Sequence, residues 1–336
     1  MSTDSPTITI LPSQKTFTVP RGSILLNGLW NNGINIPSAC GGRGICGLCK
    51  LKVTGVTTPP TAAEIKKIPP PELEQRFRLT CQIRVETDLT LEIPEDLIAR
   101  SYTGTVIFKK QLTYDIVHLA IALPQTESMP FTSGQYVQIT TRAYDGKEPT
   151  VRAYSIASTP SRANIVELMI RKVPGGICTT WVFDHLSEGD CVDLSGPYGS
   201  FRLSKTTLPI LFIGGGSGMA PFWSMLNTMR EKKINRRVQF FFGAVTQRDL
   251  FLIDEISALQ KELVSFAFVP ALSGEPADSD WHGERGLITE VVARTVPDTS
   301  GHEAYLCGSP GMIDACCAML TKGGLLPERI FYDKFA

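Results

Sequence analysis

Apolar and polar residues alternate with a period of two in Thr7-Ile-Thr-Ile-Leu11 and again in Lys15-Thr-Phe-Thr-Val19. Successive strand side chains point to opposite faces, so these runs predict two strands joined by a turn. Gly22-Ser-Ile-Leu-Leu-Asn-Gly-Leu-Trp30 then reads as a short helix with Ser23 as its N-cap. The proline-rich stretch from Pro59 to Pro71 predicts a surface excursion. After Ser101 the pattern changes to strand runs separated by Gly and Pro turns: Gly104-Thr-Val-Ile-Phe108, His118-Leu-Ala-Ile-Ala-Leu123 and Gln135-Tyr-Val-Gln-Ile139. Such a succession predicts an antiparallel barrel. From Leu208 onward apolar strands alternate with helical stretches, the pattern of a doubly wound parallel α/β sheet.

These changes divide the chain into segments 1–98, 99–205 and 206–336. At 336 residues the chain is too long for one typical core, which agrees with three multidomain α+β and α/β units. Lys+Arg and Asp+Glu balance at 33 each, so no basic excess points to nucleic acid or a membrane surface. The longest apolar runs, such as Leu208 to Ile213, fall far short of a spanning helix. No signal-peptide pattern is read at the N-terminus, and nine cysteines fit a reducing interior. The expectation is a cytoplasmic protein.

Four of those cysteines carry the strongest chemistry. Cys40, Cys46 and Cys49 lie in Ser38-Ala-Cys-Gly-Gly-Arg-Gly-Ile-Cys-Gly-Leu-Cys49, and Cys81 follows in Arg78-Leu-Thr-Cys-Gln82. Four thiolates satisfy the two irons of a [2Fe–2S] cluster, and ferredoxins place three in one loop and the fourth at a distance. Gly41, Gly42, Gly44 and Gly47 suit such a loop, since glycine lets backbone N–H groups approach the sulfurs. A zinc site would ask for a second close pair of Cys or His, but Cys81 stands alone and no His occurs before His118. The gap of five residues between Cys40 and Cys46 resembles vertebrate-type ferredoxins and the ferredoxin domain of the sodium-pumping NADH:quinone reductase. That resemblance implies a β-grasp fold for segment 1–98.

In the middle segment Arg152-Ala-Tyr-Ser155 resembles the R-x-Y-S motif of the ferredoxin–NADP reductase superfamily. Phe131-Thr-Ser-Gly-Gln-Tyr136 upstream and Gly196-Pro-Tyr-Gly-Ser-Phe201 downstream match the same family in order and spacing. The resemblance implies FAD, with Arg152 on the pyrophosphate, Tyr154 against the isoalloxazine and Ser155 near its N5. Gly175-Gly-Ile-Cys-Thr-Thr-Trp181 precedes a helix reaching about Leu186, so N–H groups at Gly176 and the Thr179 hydroxyl would cradle the diphosphate. Some relatives use FMN, but those carry the ferredoxin C-terminally, whereas here it is N-terminal. Cys178 and Cys191 are assigned to structure.

Strand Pro209 to Ile213, the loop Gly214-Gly-Gly-Ser-Gly-Met-Ala-Pro221 and a helix from Phe222 to about Arg230 give the strand–glycine loop–helix context of a dinucleotide site. Its G-G-x-G-x-A-P form resembles the same superfamily and implies roles for Gly215, Gly216, Gly218 and Pro221. Val245 and Thr246 stand where NADPH-specific relatives place a 2′-phosphate ligand, and Asp249 adds negative charge, so NADH is expected. Tyr305-Leu-Cys-Gly-Ser-Pro-Gly-Met312 resembles the C-G-P-P-x-M motif. Cys307 is then either a buried strand end or, as the motif favours, a neighbour of the nicotinamide. Cys316 and Cys317 read as packing residues. The ending Tyr332-Asp-Lys-Phe335 resembles oxygenase reductases, which leaves Phe335 either against the flavin or packed in the core.

The resemblance implies an oxidoreductase that takes hydride from NADH to FAD and passes single electrons through the cluster to an external acceptor. The expected partner is the oxygenase of a multicomponent system. Other acceptors, a quinone, a ferredoxin or a corrinoid metalloprotein, form the alternative, and a non-catalytic redox-sensing module is a third. Four His in the whole chain are no objection, because cofactors carry the chemistry.

Overall fold

The computed structural model describes residues 5–94 and 97–334. The N-terminal alternation builds β1 (Thr7–Leu11) and β2 (Lys15–Thr18), an antiparallel pair whose Ile8 and Ile10 point into the core. Helix α1 (Leu25–Asn31) follows. It starts two residues beyond the predicted cap: Ile24 holds the N-cap position without a side-chain bond, and the Ser23 hydroxyl is buried without a partner. The loop of cysteines leads into β3 (Lys50–Thr54), and β4 (Phe77–Leu79) and β5 (Leu89–Glu92) complete a five-stranded sheet of order β2-β1-β5-β3-β4. In it β1 and β5 run parallel, as in a β-grasp.

The predicted surface excursion is a structured cover. It holds α2 (Ala62–Lys67), opened by a capping box of Thr61 and Glu64, and α3 (Pro70–Glu74). Glu64 is fully buried and receives Arg78 Nε at 2.8 Å, Arg78 Nη2 at 3.0 Å and Leu79 N at 3.0 Å. The sequence pattern missed this because both charges sit among prolines and polar residues, where burial has no apolar signature.

Six strands form the second sheet: β6 (Arg100–Gln111), β7 (Ile116–Ala122), β8 (Tyr136–Thr140), β9 (Val151–Ser155), β10 (Ile165–Arg171) and β11 (Cys191–Tyr198). Their order is β10-β7-β6-β11-β8-β9, every pairing is antiparallel, and a bridge between Ile156 and Leu168 nearly closes the barrel. Helix α4 (Ile177–Thr180) runs into a wider turn over Trp181–His185. Cys178 is buried there, whereas Cys191 is exposed at the start of β11 and packs into no core.

The third sheet is wholly parallel, of order β15-β14-β13-β12-β16-β17: β12 (Ile210–Gly215), β13 (Val238–Ala244), β14 (Phe266–Leu272), β15 (Glu284–Arg285), β16 (Glu303–Gly308) and β17 (Ile330–Lys334). Helices α5 (Met219–Glu231), α6 (Ile253–Glu262), α7 (Ile288–Thr295) and α8 (Pro310–Lys322) cover its faces. Phe212, Phe222 and Phe240 pack on one face, Phe241 and Val291 on the other. Helix α5 begins three residues before the predicted start because Met219 and Ala220, read as loop, are buried in its first turn. Among the described residues no helix is long and apolar enough to cross a membrane.

Candidate functional site

Gly41, Gly42, Gly44 and Gly47 all take positive φ, 61°, 89°, 74° and 79°, which coils the loop around its three thiols. Helix α2 lies over this loop: a Cβ on Gly44 would come 3.3 Å from the Cβ of Ala63. The thiols fall into two pairs. Cys46 Sγ is 3.4 Å from Cys40 Sγ, and that hydrogen bond draws the Cys40 thiol down to about 4 while pushing Cys46 up. Cys49 and Cys81 form the second pair; the Cys49 thiol draws Cys81 down to about 7 and is itself pushed up. Among the described residues no three His, Cys, Asp or Glu side chains converge as a mononuclear metal site requires. Two thiol pairs are the donor set of a two-iron cluster, in which each iron takes two cysteines.

Beside the loop lies a cleft of about 490 Å³ bounded by the cysteine loop, the barrel and the parallel sheet. Ala39 and Arg43 reach it from the cysteine loop, Arg152 to Ser155 from β9, Gly176 to Thr179 from α4, and Gly215 and Ser217 from the nucleotide loop. Arg152, Tyr154, Ser155, Gly176, Thr179 and Gly215 therefore share one cavity. The Tyr154 hydroxyl donates to Cys178 Sγ at 3.2 Å. Thr179 Oγ1 accepts from Val173 N at 3.1 Å and donates to carbonyls of its own loop, so the hydroxyl shapes the turn.

Three lining residues carried no site assignment in the sequence. Tyr136 on β8 is 5% exposed, and its hydroxyl is buried without a partner. Asp333 on β17 accepts from Ser155 Oγ at 3.1 Å, and its carboxyl is pushed up to about 6, burial raising it more than the Ser155 bond lowers it. Arg171 on β10 ion-pairs with Asp115 at 2.6 Å and stands beside Gly216. The signal for Asp333 was a lone carboxylate in the last strand, after Ile330, Phe331 and Tyr332; Tyr136 had none beyond its motif. An orphaned hydroxyl, an arginine, an aromatic face and a glycine turn around one cavity fit a flavin dinucleotide.

Gly218 and Pro221 stand behind the cleft. A Cβ at Gly218 would lie 2.3 Å from the Cys307 carbonyl oxygen, so strand β16 and the loop touch through backbone. Cys307 is fully buried, its thiol pushed well up by burial, and it pairs in register with Asp333. Cys316 is buried on α8 and Cys317 half-buried beside it. Asp249 accepts from Thr246 N at 2.7 Å and Thr246 Oγ1 at 3.0 Å, closing the turn after β13. Phe335 lies outside the described residues.

Three family models match in chain order: 2Fe-2S iron-sulfur cluster binding domain over residues 8–86, oxidoreductase FAD-binding domain over 103–203 and oxidoreductase NAD-binding domain over 212–318. The F subunit of the Na(+)-translocating NADH-quinone reductase of Neisseria meningitidis is 32% identical, covering 96% of this chain and 90% of that protein. Its counterpart from Serratia proteamaculans is 33% identical, with 96% and 89% covered. The structure of the Amycolatopsis cytochrome P450 reductase GcoB superposes with a TM-score of 0.76 at 29% identity, covering 98% of this chain and 99% of that one. The ferredoxin reductase of carbazole 1,9a-dioxygenase gives a TM-score of 0.76 at 26% identity, with 98% of each chain covered. With cluster, flavin and nicotinamide domains in this order around one cleft, the chain belongs to the ferredoxin-reductase family, as an NADH-dependent FAD and [2Fe–2S] oxidoreductase homologous to the F subunit of the Na(+)-translocating NADH-quinone reductase.

Proposed function

We propose that this reductase hands its electrons to a protein, the oxygenase of a multicomponent system, and that they leave through a cluster held by Cys40, Cys46, Cys49 and Cys81. The observation that carries this is the surface over the cysteine loop. Ile45, Leu48 and Ile65 are 47%, 42% and 63% exposed there, an apolar group on and beside the loop that suits contact with another protein. GcoB and the carbazole dioxygenase reductase, both matched over nearly the whole chain, are named as the reductases of a cytochrome P450 and of a dioxygenase.

Within the cleft, bound FAD would accept a hydride from NADH and release the electrons singly. The residues would hold it: Arg152 would pair with the diphosphate, Tyr154 would offer its ring to the isoalloxazine, Gly176 and Thr179 would form the turn beneath the diphosphate, and Ser155 with Asp333 would face the reacting edge. Gly215, Gly216, Gly218 and Pro221 would shape the nicotinamide side, with Cys307 behind it, and the turn that Asp249 fixes would meet the ribose. The units divide near residues 98 and 205. All nine cysteines are free, which supports a reducing, cytoplasmic setting.

The 32% identity to the sodium-translocating reductase of Neisseria meningitidis favours a second destination, the quinone-reducing system. The two are separated by following NADH-driven reduction of cytochrome c and of a short-chain quinone in wild type and in an Ile45→Ser/Ile65→Ser variant. A protein acceptor predicts that cytochrome c reduction falls in the variant while quinone reduction stays slow in both. Fast quinone reduction that ignores the surface variant overturns the reading.

A further inference from the structure

Strand β8 is buried on both sides. Val137 and Ile139 point into the barrel core, so the period of two sends Tyr136 and Gln138 outward. What covers Gln138 is the segment leading to the first cluster cysteine. Its amide is 0% exposed; Oε1 accepts from Ser38 N at 2.9 Å and Nε2 donates to Ile36 O at 3.3 Å. Ser38 is equally buried, and its Oγ accepts from Gly42 N at 3.1 Å. One side chain of the flavin barrel thus holds the backbone two residues before Cys40, and the hydroxyl of that residue holds the loop two residues after it.

The neighbouring contacts share the direction. Asn35 Nδ2 donates to Ser101 Oγ at 2.6 Å, Ala99 N donates to Asn35 O at 3.0 Å, and Gly41 packs so closely on Arg152 that a Cβ there would lie 2.3 Å from Nη1. A buried amide with donor and acceptor both satisfied resists separation, because opening the contact strands both groups. Its place in the strand also matters. Gln138 stands opposite Ala153, within the β9 stretch Arg152 to Ser155 that lines the cleft.

We infer that Gln138 is a positioning residue for electron transfer inside the protein: it locks the segment before Cys40 onto the barrel, so that electrons cross from the flavin cleft to the cluster loop through a fixed contact and not by a swing of the N-terminal sheet. This rests on the reading that the four loop cysteines hold the cluster and that the cluster is filled from the flavin.

The test uses the full-length protein loaded with both cofactors and mixed with NADH anaerobically, with flavin and cluster bleaching followed as separate phases. Gln138→Leu removes both bonds, and Gln138→Glu keeps the acceptor for Ser38 N–H. The flavin phase should be unchanged in both variants. The cluster phase should slow by about tenfold or more in Gln138→Leu, as misplacement of reacting partners does, and less in Gln138→Glu. Added sucrose should leave the wild-type cluster phase untouched but slow that of Gln138→Leu, a viscosity response that loss of stability alone does not produce. The inference is overturned if Gln138→Leu with full cluster and flavin content transfers at the wild-type rate, or if the wild-type cluster phase itself slows with viscosity, a measurement that needs no variant. A wild-type cluster that never bleaches overturns the underlying reading instead.

Discussion

The Ser155 hydroxyl donates to Asp333 Oδ2 at 3.1 Å, joining the end of a barrel strand to the last strand of the nucleotide sheet across 178 positions of chain. Burial raises the Asp333 carboxyl to about 6, so it is a carboxylate at neutral pH and takes up a proton as the solution becomes mildly acidic. A negative charge facing the cleft opposes the arrival of electron density on a bound flavin. The flavin potential should therefore rise more steeply in wild type than in Asp333→Asn as the pH falls from neutral toward about 6, the variant having the higher potential at neutral pH and the two converging in mild acid, where Asp333 is neutral in both redox states. A spectroelectrochemical titration across this range decides it; identical pH profiles would remove Asp333 from the hydride site.

Cys81 is the remote member of the second thiol pair, and Gln82 Nε2 lies 3.5 Å from its sulfur. Replacing it with Ser leaves the cleft residues in place. Cys81→Ser should bleach its flavin with NADH as wild type does and still reduce ferricyanide, while cytochrome c reduction is abolished. Persistent cytochrome c reduction at the wild-type rate would mean that electrons leave the flavin directly.

Gly218 has ordinary helical φ, so its need for glycine is one of space: a Cβ would stand 2.3 Å from the Cys307 carbonyl oxygen, which is backbone and has nowhere to go. Gly218→Ala must push the glycine loop off the end of β16. The expected cost is about 1–3 kcal/mol of stability, read as a lowered Tm, together with a raised KM for NADH and unchanged FAD content. An unchanged KM with only the Tm lowered would place the loop away from the nucleotide.

The contrast between what the chain spelled out and what it hid follows from physical causes. The cysteine loop, the Arg152 to Ser155 strand and the glycine loop at 214–218 were readable because each packs its chemistry into a few consecutive residues. Period-two alternation marked β1 and the barrel strands, and continuous apolar runs marked the parallel sheet. Asp333, Tyr136 and Gln138 were hidden: a polar position on a strand gives no sign of its partner, and only the folded chain brings Asp333 to Ser155 and Gln138 to Ser38. Ser23 misled for the opposite reason, being a good cap by type in a place where Ile83 O takes the Leu25 N–H and the helix starts later. The Pro59–Pro71 stretch looked like loop because nothing in a run of prolines reveals that Glu64 will be swallowed whole.

That buried Glu64 gives a last prediction. Burial alone would raise its carboxyl, but hydrogen bonds from Arg78 and from the backbone N–H groups of Thr61 and Leu79 outweigh it and hold the group below the usual carboxylate range. Arg78 also donates to Thr58 O at 3.0 Å and Pro59 O at 3.3 Å, so one guanidinium fastens the whole α2–α3 cover beside Cys81. A depressed folded-state pKa contributes stability that is present above the ordinary carboxylate pKa and lost as the pH falls through the folded value. Arg78→Met leaves a carboxylate uncompensated in the interior, a loss of about 3–5 kcal/mol for a broken buried pair, and should release the cover and with it the cluster at neutral pH. Arg78→Met/Glu64→Leu removes both charges and should regain much of that stability, because an apolar pair of similar volume carries no desolvation cost. The check is thermal melting followed by cluster absorbance for the two variants at neutral pH and again in mild acid, where protonation of the stranded Glu64 should bring the single variant partway back toward the double. If the single variant melts as wild type does, the ion pair does not hold the cover, and the exposed Ile65 that α2 carries beside the loop loses its fixed place.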